Sequence, residues 1–143
     1  MGPRIARSRK DMPGTKVGES QGKVTGRRAL PGDGRYLKME ISFEEQGTLL
    51  SVGMWNMGTF EVYERISGQL FGSGQGMLTT QDGGGSIWSG SGVGTVDETG
   101  TMAFVAGLTV QTDAENLKRL NHALLVVEHT SSMEGAVRST IHA

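Results

Sequence analysis

Hydrophobic and polar positions alternate along much of the chain. Met39, Ile41 and Phe43 interleave with Glu40, Ser42 and Glu44, the period-2 pattern of a strand with one buried face. Two further runs, 48–55 and 59–66, flank Asn56-Met57-Gly58. Turn signals then recur at Ser67-Gly68, Asp82-Gly83-Gly84-Gly85, Asp97-Glu98-Thr99-Gly100 and Met133-Glu134-Gly135. They separate segments rich in Val, Ile, Thr and Phe, at spacings of about 10–15 residues. The pattern predicts an all-β protein, an antiparallel meander closed into a small barrel of about eight strands. One short helix is expected near residues 113–121. Thr112 and Glu115 have the spacing of a capping box, Leu117 and Leu120 share a face, and Asn121 closes it.

A short repeat sets the expected pairing in the middle of the chain. Gly72, Gly74 and Gly76 return as Gly90, Gly92 and Gly94. Folding about a loop at 81–85 pairs Thr80 with Ser86, Gly74 with Gly92 and Leu78 with Trp88, and gathers the glycines on one face. A two-residue turn at Ser67-Gly68 and a four-residue loop at 97–100 would place Phe60, Phe71, Ser73, Gln75, Met77, Ser91, Phe104 and Leu108 on the opposite face. That face is the bulkier one and is taken as the interior. The glycine run is no phosphate loop, because a strand follows it where a dinucleotide fingerprint needs a helix. A bare face suits close approach of a second layer or a subunit contact.

Composition narrows the chemistry. The 143 residues fit one domain and include 23 glycines and no cysteine, so disulfides, thiolate metal sites and cysteine nucleophiles are excluded. No apolar run has the length of a membrane span, and a cytoplasmic protein is expected. Residues 1–38 hold ten of the fourteen cations against three anions, while the rest of the chain is acidic. Residues 1–21 read as a flexible basic arm and 22–143 as the barrel domain. Without aromatic residues in the arm, and with an acidic body, the arrangement argues against nucleic-acid binding.

The glycine pattern and hairpin lengths of 71–76, Asp82-Gly83, 88–94 and 101–107 resemble the core hairpins of the allene oxide cyclase-like barrels. The resemblance spans roughly residues 37–130. It implies an eight-stranded barrel, often trimeric, with an apolar cavity; some such barrels cyclise or isomerise hydrophobic substrates without a cofactor. No catalytic motif of the plant cyclases is present to carry over.

Candidate chemistry is sparse. On the expected inner face Glu64 is the one charge among apolar neighbours and the candidate acid or base, with Ser73, Gln75 and Ser91 to orient a polar group. Its position beside the turn equally lets it reach solvent. Glu128 and His129 fall on opposite faces of one strand, and a single His there is more often structural than catalytic. His122, His129 and His142 have no metal-ligand spacing, so neither metal nor cofactor is expected. Two readings follow. One is a homo-oligomeric barrel that binds an apolar or amphipathic small molecule at Phe60, Glu64, Phe71, Ser73, Gln75, Met77, Ser91, Phe104 and Leu108, with cyclase or isomerase activity as its extension. The other is an oligomeric structural protein with a filled barrel.

Overall fold

The computed structural model describes residues 14–32 and 38–143. The chain forms the expected antiparallel barrel: β1 (Lys16–Leu30), β2 (Lys38–Leu49), β3 (Val52–Glu64), β4 (Leu70–Thr80), β5 (Gly85–Val96), β6 (Met102–Thr112), β7 (Leu125–Ser131) and β8 (Ala136–His142). Each strand pairs with its neighbour in sequence, and β1 pairs with β8 to close the ring. Closure gives every strand a partner on both sides, although β1 beyond Lys23 pairs along its ladder with β2 alone.

Residues 1–13 lie outside the described residues. Residues 16–21, assigned to the arm from the sequence, instead begin β1. This strand escapes a search for apolar alternation because its inward positions are small: Gly18 and Ser20 are buried, and Gly22 has β2 backbone where a Cβ would stand.

Loop length decides which face is inside. Four hairpins use three-residue loops that end in a glycine with positive φ: Gly68 (77°), Gly83 (93°), Gly100 (86°) and Gly135 (99°). Their closing bonds run from Arg65 N to Gln69 O, Thr80 N to Gly84 O, Asp97 N to Thr101 O and Ser132 N to Ala136 O, at 2.6–3.0 Å. This is the common three-residue hairpin, in which glycine adopts the left-handed conformation without steric cost. The loop at 81–83 replaces the expected 81–85 and slides β5 by two residues. Gly74 therefore faces Gly90 rather than Gly92, and Leu78 faces Ser86 rather than Trp88. A slide of two keeps all six glycines on one face.

The loops at 66–68 and 98–100 each differ by one residue from the expected turns, and one residue inverts a strand. Phe60 and Val62 consequently face Gly74 and Gly72, and Phe104, Ala106 and Leu108 face Gly94, Gly92 and Gly90. The glycine face is the interior. Phe71, Ser73, Gln75, Met77 and Ser91 are on the outer face of β4 and β5, with Met77 48% exposed. Tyr63 pairs with Phe71, not Gly72, and Arg65 stacks 3.9 Å over the Phe71 ring.

Two apolar clusters hold the barrel. At one end Leu49, Met54, Leu78, Val110, Leu125, Val127 and Ile141 pack around Leu117 and Leu120, which are fully buried in the helix Glu115–His122. The helix is 3₁₀, so positions i and i+3 eclipse and point both leucines into the barrel. The expected capping box does not form. Thr112 Oγ1 accepts from Ala114 N at 3.0 Å, and Asn121 closes the segment by bonding Thr112 N and O. At the other end Ile41, Val62, Leu70 and Phe104 form the second cluster.

The inward glycines differ in what surrounds them. A Cβ on Gly90 would stand 2.1 Å from Gly107 O, and on Gly92 2.3 Å from Val105 O, so the neighbouring backbone occupies that space. At Gly72 the nearest atom would be Phe104 Cε1 at 3.4 Å, an ordinary contact. Gly72→Ala is expected to keep or raise stability by up to about 1 kcal/mol, whereas Gly90→Ala should lose about 1–3 kcal/mol. Urea unfolding midpoints of the two variants test the contrast.

Candidate functional site

Between the two apolar clusters the barrel has a layer with two unlike halves. Strands β4 to β6 line it with Gly72, Gly74, Gly90, Gly92, Ala106 and Leu108. Against this nearly bare wall, five strands contribute polar groups: Ser20 from β1, Glu45 from β2, Asn56 from β3, His129 from β7 and Ser139 from β8, all buried. A cavity of about 110 Å³ separates the halves. Phe43, Phe60, Phe104 and Trp88 also line it, and residues of the first apolar cluster, Leu120 among them, close one end.

Four of these groups, Glu45, Asn56, His129 and Ser139, form one network. Ser139 Oγ donates to Glu45 Oε2 at 2.7 Å, and Ser139 Oγ and His129 Nδ1 are 2.8 Å apart. Asn56 Nδ2 donates to Glu45 Oε1 at 3.4 Å. Asn56 Oδ1 in turn accepts the indole N–H of Trp88 at 2.8 Å. The indole can lie there because Gly58 and Gly76 carry no side chain; a Cβ on either would meet Trp88 at 2.4–2.6 Å. Trp88, expected at an outer glycine patch, is thus an interior residue. His129 Nε2 is buried with no hydrogen-bond partner. The imidazole packs against Phe43 and Phe60, with centroids 4.9 and 5.8 Å away.

Burial controls the electrostatics of the pair. It raises the Glu45 pKa, opposed by the Ser139, Asn56 and Ser20 side chains. Of these Ser20 is the loosest, since its oxygen completes no hydrogen bond. Burial also pushes the His129 pKa down to about 4. Each shift disfavours the charged form. A buried carboxylate and an unpartnered imidazole nitrogen both cost stability, and such groups cluster where chemistry occurs.

The sequence-predicted residues divide accordingly. Phe60, Phe104 and Leu108 line the cavity, and Ser73 and Ser91 border it from their positions between the inward glycines. The side chains of Phe71, Ser73, Gln75, Met77 and Ser91 are on the outer face, for the loop-length reason given above. Glu64 lies opposite Leu70 at the end of β3 and is exposed, as its place beside the turn allowed. Glu45 was missed although Met39, Ile41 and Phe43 lead directly to it along one face. His129 lies on the inner face with Leu125 and Val127; Ser139 is its direct partner across the β7–β8 hairpin, whereas Glu45 comes from β2, beyond β1 in the ring. Among the described residues no group of three or more His, Asp or Glu could hold a metal ion.

No protein-family model matches the chain, and no curated protein is similar to it. Solved structures share the fold. A protein of unknown function from Clostridium acetobutylicum is 15% identical and superimposes with a TM-score of 0.75, covering 92% of this chain and 99% of its own. A conserved protein of unknown function from Rhodopseudomonas palustris is 12% identical at TM-score 0.75, covering 89% and 93%. An enzyme from Penicillium herquei is 12% identical at TM-score 0.56, covering 99% and 100%. At these identities the likeness is one of fold.

The depressed His129 pKa has a consequence for stability. The unfolded chain protonates this ring near its ordinary value of 6.5, and the folded chain only near about 4. Falling pH therefore favours unfolding through that window, by about 3 kcal/mol from pH 7 to pH 4. Glu45, with its pKa raised, acts oppositely: its stabilising contribution is present below its ordinary value of 4.5 and fades as pH rises through the folded value. His129→Gln should remove the ring's share, so that its stability relative to wild type rises as pH falls. Urea unfolding of both proteins across this range measures the difference.

Proposed function

We propose that the chain is a small-molecule-binding barrel whose cavity takes a compact ligand with an apolar body and one polar atom. The observation that carries this reading is the cavity itself, bounded by bare glycine on one side and on the other by the His129 ring, whose buried Nε2 has no partner. A barrel of eight strands either fills its interior or holds one small ligand, and here inward glycines leave the interior unfilled. At about 110 Å³ the space is somewhat smaller than an engineered cavity of about 150 Å³ that binds benzene. One small ring fits its scale; a long acyl chain does not. An apolar lining with few convergent polar groups is the usual composition of such sites.

Chemistry without a cofactor, of isomerase or cyclase type, extends this reading. The resemblance to the allene oxide cyclase-like barrels supports it, as does the occurrence of an enzyme among the barrels of this fold. A specific observation also favours self-association. The outer faces of β3 to β6 expose Met57, Met77, Ile87, Val93 and Val105 at 40–56%, more than isolated surface apolar residues need. A homo-oligomer built on this face is compatible with an open interior.

Trp88 supplies the readout for the binding test. In a Trp55→Phe background, which removes the exposed indole, titration with toluene and with phenol should give a saturable one-site change in Trp88 fluorescence. Ala106→Leu, which fills the cavity from the bare wall, should abolish it. No saturable response to either probe, at concentrations up to their solubility, would sink the reading.

A further inference from the structure

We propose that Glu45, Ser139 and His129 form a proton relay ending in the cavity, and that the barrel uses it to move a proton between two atoms of a small, neutral carbonyl compound with an acidic C–H bond. The proposal rests on the cavity being a ligand site.

The argument begins with the Ser139 hydroxyl, which has one hydrogen and two close partners, Glu45 Oε2 at 2.7 Å and His129 Nδ1 at 2.8 Å. The outer two are 3.9 Å apart, beyond hydrogen-bond reach, so Ser139 is the bridge. When Glu45 is a carboxylate, Ser139 donates to it and Nδ1–H donates to Ser139. Nε2 then carries a lone pair. When Glu45 is the acid, its O–H donates to Ser139, Ser139 donates to Nδ1, and Nε2 carries the hydrogen. One proton added to the network thus converts Nε2 from acceptor to donor, with the imidazole neutral in both states.

Burial favours this division of labour. It disfavours an imidazolium at His129 and a carboxylate at Glu45, so an added proton rests on the carboxyl. The other elements face the pair with Phe43, Ser20, Asn56, Phe104 and the bridging Ser139, none of them ionisable at neutral pH. A base formed by His129 alone would be weak. Coupled to Glu45 it can accept a proton without creating a buried cation.

The step balances within the site. A substrate C–H bond breaks and an N–H bond forms at Nε2. The Nδ1 hydrogen passes to Ser139 Oγ as the Ser139 hydrogen passes to Glu45 Oε2. The electron pair stays on the substrate as an enolate, and the negative charge moves from Glu45 to it. The buried Ser20 hydroxyl lines the cavity and completes no hydrogen bond; once Glu45 is neutralised it can turn from the carboxyl to the enolate oxygen. Return of the proton from Nε2 to a different atom of the enolate restores the Glu45 carboxylate and yields an isomer, with no co-reactant.

Two measurements test the relay. In ¹⁵N-histidine-labelled wild-type protein, acidification should convert His129 from the Nδ1–H to the Nε2–H tautomer as Glu45 takes up its proton, with the ring neutral until its own titration at about 4. A single tautomer throughout, or direct passage to the doubly protonated ring, overturns the proposal. In D₂O the protein should also exchange the α-hydrogens of cyclopentanone. His129→Gln and Glu45→Gln should each slow exchange by about 100-fold or more, with cyclopentanone binding retained by Trp88 fluorescence. Exchange unaffected by Glu45→Gln overturns the relay. Binding without exchange overturns it too and leaves the binding reading standing, whereas loss of both means that the cavity is not a ligand site for this class. The tautomer measurement decides the relay even where a variant does not fold.

Discussion

Side chains alternate along a strand, so a hairpin loop that gains or loses one residue turns the following strand inside out. In this barrel four connections have the same length and end in a left-handed glycine. The β2–β3 connection is shorter, with Leu50 and Ser51 both at positive φ between Leu49 and Val52. These turns determine that glycines of β4 and β5 meet Phe60 and Phe104 inside, and that Met77 and Ile87 are left outside. Cavity, bare wall and polar wall all follow from that assignment.

The interior layer that results is poor in stabilising contacts. Each inward glycine within a strand costs roughly 0.5–1 kcal/mol relative to alanine, and a buried carboxyl adds a desolvation penalty. At Gly90 and Gly92 close packing by the next strand accounts for the absence of a side chain. Gly58 and Gly76 are covered by Trp88. Gly72 has room for a methyl group, so neither strand packing nor the indole explains it. The unfilled space and the unpartnered imidazole nitrogen occur in the same layer, while the clusters around Leu117 and Ile41 supply well-packed cores at both ends. A protein selected for stability alone would fill that layer.

Strand periodicity, turn residues and the short helix were legible because each is a local property. Faces were not, since they hung on whether Ser67-Gly68 closes a two- or a three-residue loop, which two residues of sequence do not decide. The first strand was obscured because Gly18, Ser20 and Gly22 give no apolar signal. Glu45 was within reach of the alternation that found Met39, Ile41 and Phe43. A charge on an apolar face is easily read as the point where burial stops; here the face continues to Leu49. The meeting of Glu45 with Ser139, 94 residues away, depends on closure of β1 against β8. No local pattern encodes it.

Charge also limits what such a cavity can admit. Glu45 is 2% exposed, and the groups that steady its carboxylate are neutral donors, Ser139 and Asn56. A carboxylate ligand would bring a second negative charge into the same low-dielectric space. The two could coexist only if one took up a proton. A cation would find Glu45 already engaged by its hydrogen bonds and would lose its own hydration on entry. A neutral molecule escapes both penalties. Its apolar body can replace missing contacts along the glycine wall, and its polar group can meet the polar wall opposite, where Ser20 and His129 each hold an unpartnered polar atom. The same burial that unbalances Glu45 and His129 therefore selects for an uncharged ligand.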